Sequence, residues 1–128
     1  MSSLVAVVLI VEDNDKNMKL VRDVLQFKGY QTLEAISGCE GVRMAIEHLP
    51  DLVLMDIQLP DINGVTALAQ IRAHPQTRSI PVFAVTASVM PHDQARIEAS
   101  GFEAFISKPI NVKSFIETVG RFVPARKE

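Results

Sequence analysis

Five side chains suited to holding a metal ion or a phosphoryl group follow apolar segments of this sequence. Glu12 and Asp13 follow the first apolar run, and Asp56 follows a later one. Thr86 and Lys108 stand in the same relation to two further runs. Three clustered carboxylates repel one another, so a site that keeps them ionised needs positive charge. Lys108 supplies one unit, and a hard divalent cation such as Mg²⁺ is the obvious complement.

This set of groups is suited to phosphoryl transfer onto a carboxylate. An aspartate screened by a metal and a lysine can attack phosphorus and form an acyl phosphate. Each residue alone is weak evidence, since Asp13 or Asn14 could cap a helix and Asp56 before Pro60 could begin a turn. Threonine is also common in strands, which makes Thr86 uninformative by itself. The prediction of a phosphoryl-transfer site depends on the combination, because each of these residues follows the end of a different apolar run or adjoins one that does.

Apolar segments alternate with segments of helical period along the chain, as in a βα fold. The pattern predicts a parallel sheet with right-handed crossovers and helices on both faces. The carboxyl ends of parallel strands lie at one edge of the sheet, where open α/β sheets bind ligands. The side chains named above should therefore converge. Predicted strands are 5–11, 30–36, 52–55, 82–85 and 104–106, and helical segments include 15–28, 42–49, 64–73, a stretch after Met90 and 111–123.

Three segments of the sequence carry further structural signals. Segment 30–36 interleaves polar residues, which favours an edge strand. The helix after Met90 has a thin apolar stripe of Ala95, Ile97 and Ala99, so we expect it to be weakly held. We expect residues 124–128 to fray.

Composition limits the classes of function. The 128 residues fit one domain, and a net charge of -2 gives no basic field for nucleic acid or an anionic membrane. The apolar run at 4–11 is too short to span a bilayer and ends in acidic residues, so we expect no membrane insertion. Cys39 is the single cysteine, which indicates a reducing, cytoplasmic location.

Four sequence motifs resemble those of receiver domains of two-component signalling. The resemblance covers residues 5–122 and predicts a single receiver domain over 1–128. Within the family, the chain is most similar to single-domain cell-cycle regulators of the DivK type. The implied fold is α/β and flavodoxin-like, a five-stranded parallel sheet of order 2-1-3-4-5. The motifs are VLIVEDN at 8–14, LMDIQLPDING at 54–64, the pair Thr86-Ala87 and ISKP at 106–109.

The resemblance implies a phosphorylation-dependent switch and not an enzyme with a separate substrate. Asp56 would accept a phosphoryl group from the phosphohistidine of a histidine kinase or a histidine phosphotransferase. Asp13 and Asp56 would bind Mg²⁺ directly. Glu12 would act through the water shell of the ion, and the backbone carbonyl of Gln58 would complete the protein ligands.

The resemblance also implies how phosphorylation is read out. Thr86 and Lys108 would contact phosphoryl oxygens, and Phe105 falls at the position of the switch aromatic of the family. Because the weakly held helix after Met90 is the element most easily repositioned, we expect a protein partner to dock on the face formed by residues 88–122. The net charge of -2 gives no reason to expect nucleic acid as a partner. The Lys108-Pro109 peptide bond is implied to be cis.

Two other functions stay open at the level of sequence. A small Mg²⁺-dependent phosphohydrolase also uses an aspartyl nucleophile, but such enzymes often carry a second acid two residues later, where this chain has Gln58. A flavin carrier can share the fold, because fold does not fix function. The acidic first loop, however, would repel a flavin phosphate.

Overall fold

The computed structural model describes residues 5–87 and 91–126, and the side chains of all of these except 91–94. Strands and helices alternate throughout, as the sequence predicts. The elements in chain order are β1 Val7–Val11, α1 Asp15–Phe27, β2 Gln31–Ala35, α2 Gly38–His48, β3 Leu52–Asp56, α3 Gly64–Ala73, β4 Val82–Thr86, α4 Pro91–Ala99, β5 Ala104–Ser107 and α5 Val112–Phe122.

The strands form one parallel sheet in the order β2-β1-β3-β4-β5. The predicted α/β fold and strand order are therefore confirmed, and β2 lies at an edge as expected. The register sets the carboxyl ends side by side. Val11 of β1 pairs with Met55 of β3, Asp56 with Val85 of β4, and Thr86 with Ser107 of β5.

Side chains alternate between the two faces of the sheet, and each face is covered by helices. On one face α1 and α5 cover a cluster that includes Ile10, Leu54 and the fully buried Phe83. On the other face, residues of α2, α3 and α4 pack against a cluster that includes Val11 and Met55. This two-sided burial explains why β1, β3 and β4 are almost continuously apolar.

A side-chain oxygen caps the N-terminus of four helices. Asn14, Ser37, Asn63 and Asn111 each accept a hydrogen bond from the backbone N–H three residues later. These caps fix the N-terminal ends of α1, α2, α3 and α5, each of which follows the carboxyl end of the preceding strand. The capping alternative raised by the sequence is thereby settled for α1, since Asn14 and not Asp13 provides the cap.

The C-terminal segment is held against the sheet, so the predicted fraying was wrong for the described residues up to 126. The backbone N–H of Ala6 donates to the carbonyl of Ala125 at 2.9 Å. The buried Tyr30 hydroxyl donates to the carbonyl of Val123. Both contacts join residues far apart in sequence, which local composition does not reveal.

Helix α4 has the thin apolar stripe expected from the sequence. Of its described side chains, Ile97 is buried, whereas Ala95 and Ala99 are exposed. Residues 88–90, which belong to the predicted partner face 88–122, lie outside the described residues. Among the helices that the structure describes, none is both long enough and apolar enough to cross a membrane.

Candidate functional site

The side chains singled out in the sequence meet at the carboxyl edge of the sheet. Asp56 and Thr86 are the last residues of β3 and β4, and Glu12 directly follows β1. All three are buried, whereas Asp13 is exposed. The apolar strands carry these polar residues to the rim of the core, where a buried carboxylate needs a charged or hydrogen-bonding partner.

Lys108 joins two of the carboxylates. Its Nζ lies 2.9 Å from Asp56 Oδ2 and 3.2 Å from Glu12 Oε2. The other oxygen of Asp56 accepts a hydrogen bond from the backbone N–H of Gln58 at 2.9 Å. Glu12 Oε1 accepts one from Asn17 Nδ2 at 3.2 Å. Asp56 is thus fixed by a donor on each oxygen.

The strand–loop junction after β5 places Lys108. Its backbone N–H donates to the carbonyl of Thr86 at 2.8 Å, which extends the pairing of β5 with β4 by one residue. The Lys108-Pro109 peptide bond is cis, in agreement with the expectation from the family resemblance. The lysine side chain is 19% exposed, so its charge faces the carboxylates with little screening by water.

Burial and mutual contact shift the pKa values of Glu12 and Lys108. Burial, followed by the hydrogen bond with Asp56 and its charge, raises the pKa of Glu12 above its usual value. Burial alone would lower the pKa of Lys108, but the hydrogen bond to Asp56 and the charges of Asp56 and Glu12 outweigh it and raise that pKa. Lys108 therefore remains an ammonium, and its charge is shared between Glu12 and Asp56.

The donor set fits a hard divalent cation. Glu12, Asp13 and Asp56 each offer a carboxylate oxygen, and these oxygens lie within 4.8 Å of one another. Oxygen donors of this kind suit Mg²⁺, which commonly takes one or two protein carboxylates and keeps several waters. The exposure of Asp13 leaves one side of the cluster open to solvent.

The two positions that the resemblance links to readout lie on neighbouring strands. Thr86 pairs with Ser107, and Ala84 pairs with Phe105. Because side chains alternate along a strand, Thr86 and Phe105 stand on the same face of the sheet. Phe105 is half-buried against the cluster that contains Ala84. Thr86 and Phe105 are therefore two residues apart in register on neighbouring strands, and Thr86 is on the strand next to that of Asp56.

Sequence reasoning missed Asn17, which contacts Glu12 from the first turn of α1. A signal was present, because residues at the start of a helix that follows β1 must lie at the carboxyl edge of the sheet.

A protein-family model described as the response regulator receiver domain matches residues 8–120. The chain belongs to this family. Its similarity to the polar-differentiation response regulator DivK of Brucella ovis is 49% identity over 116 residues, covering 91% of this chain and 94% of the relative. The DivK protein of Brucella anthropi is 48% identical over the same coverage. The predicted family and its DivK-like character are confirmed.

Solved receiver structures share the fold of this receiver domain. Vibrio cholerae chemotaxis protein CheY4 has a TM-score of 0.86 at 25% identity, with 93% of this chain and 99% of that chain covered. The receiver domain of a sensor histidine kinase from Pseudomonas aeruginosa PAO1 has a TM-score of 0.85 at 29% identity, with 91% and 96% covered. That structure has a magnesium ion coordinated in its active site cleft.

Proposed function

We propose that this receiver domain is a phosphorylation-operated switch in which Asp56 accepts a phosphoryl group from the phosphohistidine of a histidine kinase or histidine phosphotransferase. The observation that carries the proposal is the geometry of Asp56. This carboxylate is buried at the end of β3, with Lys108 Nζ 2.9 Å from one oxygen and the Gln58 N–H 2.9 Å from the other. A carboxylate held in this way is oriented for attack.

The proposed reaction transfers the phosphoryl group from nitrogen to oxygen. A carboxylate oxygen of Asp56 forms a bond to phosphorus, the bond between phosphorus and the imidazole nitrogen of the donor breaks, and its electron pair returns to that nitrogen. Lys108 offsets negative charge on the phosphoryl oxygens as they arrive, and the Thr86 hydroxyl donates to one of them. The catalytic contribution of these residues is positioning and charge neutralisation.

We propose Mg²⁺ as the cofactor. Asp13 and Asp56 would bind it directly, Glu12 through its water shell and Gln58 through its backbone carbonyl. The ion supplies neutralisation of charge on the transferring group. Support comes from the carboxylate oxygens that lie within 4.8 Å of one another and from the magnesium bound by the related Pseudomonas receiver.

We propose that the output is contact with a protein partner on the face of residues 88–122, in the cytoplasm, with residues 1–128 as one receiver domain. A phosphoryl group adds nearly two negative charges and three acceptor oxygens. Reorientation of Thr86 toward it would free space that Phe105 on the next strand can fill. Among the described side chains of helix α4, only that of Ile97 is buried. This helix is therefore the element most easily repositioned.

Intact-mass measurement after incubation with a small acyl phosphate and Mg²⁺ tests the proposed function. Wild type should gain one phosphoryl group, and Asp56→Asn should gain none. Asp23→Asn is the matched control, because Asp23 is an exposed aspartate that pairs with Lys19 on α1, away from the cluster. Labelling of Asp56→Asn at the wild-type rate, or equal labelling of wild type without Mg²⁺, would contradict the proposal.

A further inference from the structure

The loop between β3 and α3 is anchored at its start, beside the proposed phosphoacceptor. The N–H of Ile57 donates to the carbonyl of Val85 at 3.1 Å, and the Ile57 carbonyl accepts from the N–H of Gly64 at 2.9 Å. The next residue, Gln58, donates its N–H to Asp56. The backbone of Gln58 is therefore placed by whatever holds this loop.

A second anchor lies further along the loop, where Asp61 binds the first turn of α2. Its Oδ1 accepts the N–H of Gly38 and its Oδ2 accepts the N–H of Cys39, both at 2.8 Å. We call this pair of hydrogen bonds the Asp61 clamp. Hydrogen bonds from the thiol and N–H of Cys39, and then from Gly38, hold the pKa of Asp61 far below its usual value. The clamp is therefore ionic at neutral pH.

The loop also lies directly against the backbone of α2. A Cβ atom at Gly38 would be 2.4 Å from Ile62 Cγ1 and 3.3 Å from Asp61 Oδ1. Glycine is thus needed at Gly38 so that the loop can approach the helix closely. The contact joins the loop to a packed element of the core, because Val42 and Ala45 of α2 are buried.

We propose that Asp61 is a positioning residue for phosphoryl transfer, whose clamp on α2 fixes the loop and with it the backbone of Gln58 beside Asp56. This inference rests on the proposed function. Gln58 lies between the two anchors, so loss of the Asp61 clamp leaves the loop hydrogen-bonded near Ile57 and Gly64 and held to α2 only by the packing of Ile62 on Gly38. Small displacements of groups that orient a reacting atom reduce rates strongly.

A merely structural role for Asp61 would be to cap α2, and Ser37 allows the two roles to be separated. Ser37 Oγ accepts the N–H of Glu40 at the start of the same helix. It therefore contributes to the same helix terminus without a hydrogen bond to the loop. Ser37→Ala is the matched control for Asp61→Ala.

The test combines amide hydrogen exchange of the metal-free protein with the rate of labelling by a small acyl phosphate and Mg²⁺. In Asp61→Ala, exchange across residues 57–63 should quicken and labelling should slow, each on the order of tenfold. In Ser37→Ala, faster exchange should be confined to the start of α2, with labelling unchanged. If Asp61→Ala does not fold, Asp61→Asn replaces it in the test. This variant keeps one acceptor oxygen, so we expect it to fold and to show exchange and labelling rates between those of wild type and those expected for Asp61→Ala.

Two results overturn the positioning role. One is labelling of the folded Asp61 variants at the wild-type rate, and the other is equal slowing in Ser37→Ala. If wild type itself takes up no phosphoryl group, the proposed function fails and the positioning role fails with it. Normal labelling of wild type together with unchanged labelling of Asp61→Ala removes the positioning role alone.

Discussion

Substitution of Gly64 by alanine should disturb the fold and the site together. Gly64 begins α3, and a Cβ there would lie 2.7 Å from the backbone oxygen of Asp56 and 2.9 Å from the Cα of Ile57. Ordinary contacts between nonbonded heavy atoms are about 3.5 Å or longer, so the backbone beside Asp56 must move by about 0.8 Å. Neither neighbour is a flexible side chain that can turn away.

The expected cost follows from the size of that overlap. Overpacking of this kind costs about 1–3 kcal/mol. Alanine gains up to about 1 kcal/mol over glycine within a helix, and less in the first turn. Gly64→Ala should therefore lower the free energy of unfolding by about 1–2 kcal/mol. It should also slow labelling by acyl phosphate, because the displaced backbone adjoins the proposed phosphoacceptor.

Gly120→Ala provides the matched control. Gly120 lies within α5, and a Cβ there meets nothing within 4 Å. The same chemical change should stabilise the fold at this position by about 0.5–1 kcal/mol and leave labelling unchanged. Urea denaturation followed by circular dichroism compares the midpoints. A Gly64→Ala protein as stable as wild type, with normal labelling, would refute the reasoning from close contact.

Four further substitutions test other parts of the account. Lys108→Met should slow acyl-phosphate labelling on the order of a hundredfold, because the cation beside Asp56 is lost, and time courses of intact mass will measure this. Thr86→Ala should slow labelling only slightly, because one neutral hydrogen bond is lost, but should confine phosphorylation-induced amide NMR shifts to the surroundings of Asp56, whereas in wild type they should reach β5. Tyr30→Phe should lower the free energy of unfolding by about 1 kcal/mol in urea denaturation. Because the pKa of Asp61 is lower in the folded protein than its ordinary value of 3.8, the ionised carboxylate stabilises the fold above pH 3.8. Asp61→Asn should therefore have a lower free energy of unfolding than wild type at neutral pH, and this difference should diminish as the pH falls below 3.8.

The contrary results are equally specific. Lys108→Met labelled at the wild-type rate would remove the lysine from the reaction, and shifts that still reach β5 in Thr86→Ala would remove the hydroxyl from the readout. An unchanged free energy of unfolding in Tyr30→Phe would show that the hydrogen bond from the Tyr30 hydroxyl to the C-terminal segment adds no net stability. A stability difference for Asp61→Asn that persists undiminished in acid would contradict the ionic nature of the clamp.

The strands and the cluster of site residues could be predicted because both depend on local sequence. Buried parallel strands are continuous apolar runs, and the site residues stand directly after them, as Asp56 does after Leu52–Met55. Parallel pairing alone then brings Glu12, Asp56 and Lys108 to one edge. The order of the strands came from the family resemblance, since periodicity does not fix which strands are neighbours.

Contacts between distant segments could not be predicted from periodicity. Tyr30 and Val123 are 93 residues apart, and Asp61 and Gly38 are 23 apart. The start of α2 shows the same limitation. Helical propensity disfavours glycine at Gly38 and Gly41, so the periodic pattern was recognised only from Val42 onward. Close packing requires both glycines, because a Cβ at Gly41 would lie 2.7 Å from Val11 Cγ2.

The central claim, that Asp56 is the phosphoacceptor, is tested most directly by chemical mapping of the modified residue. After labelling with acyl phosphate and Mg²⁺, borohydride reduces an aspartyl phosphate to homoserine, and peptide mass spectrometry then locates the changed residue. We predict homoserine at Asp56 in wild type and none in an unlabelled sample. Homoserine at Asp13, a reduced glutamate at Glu12, or stable phosphate on a serine, threonine or histidine instead would contradict the assignment of Asp56.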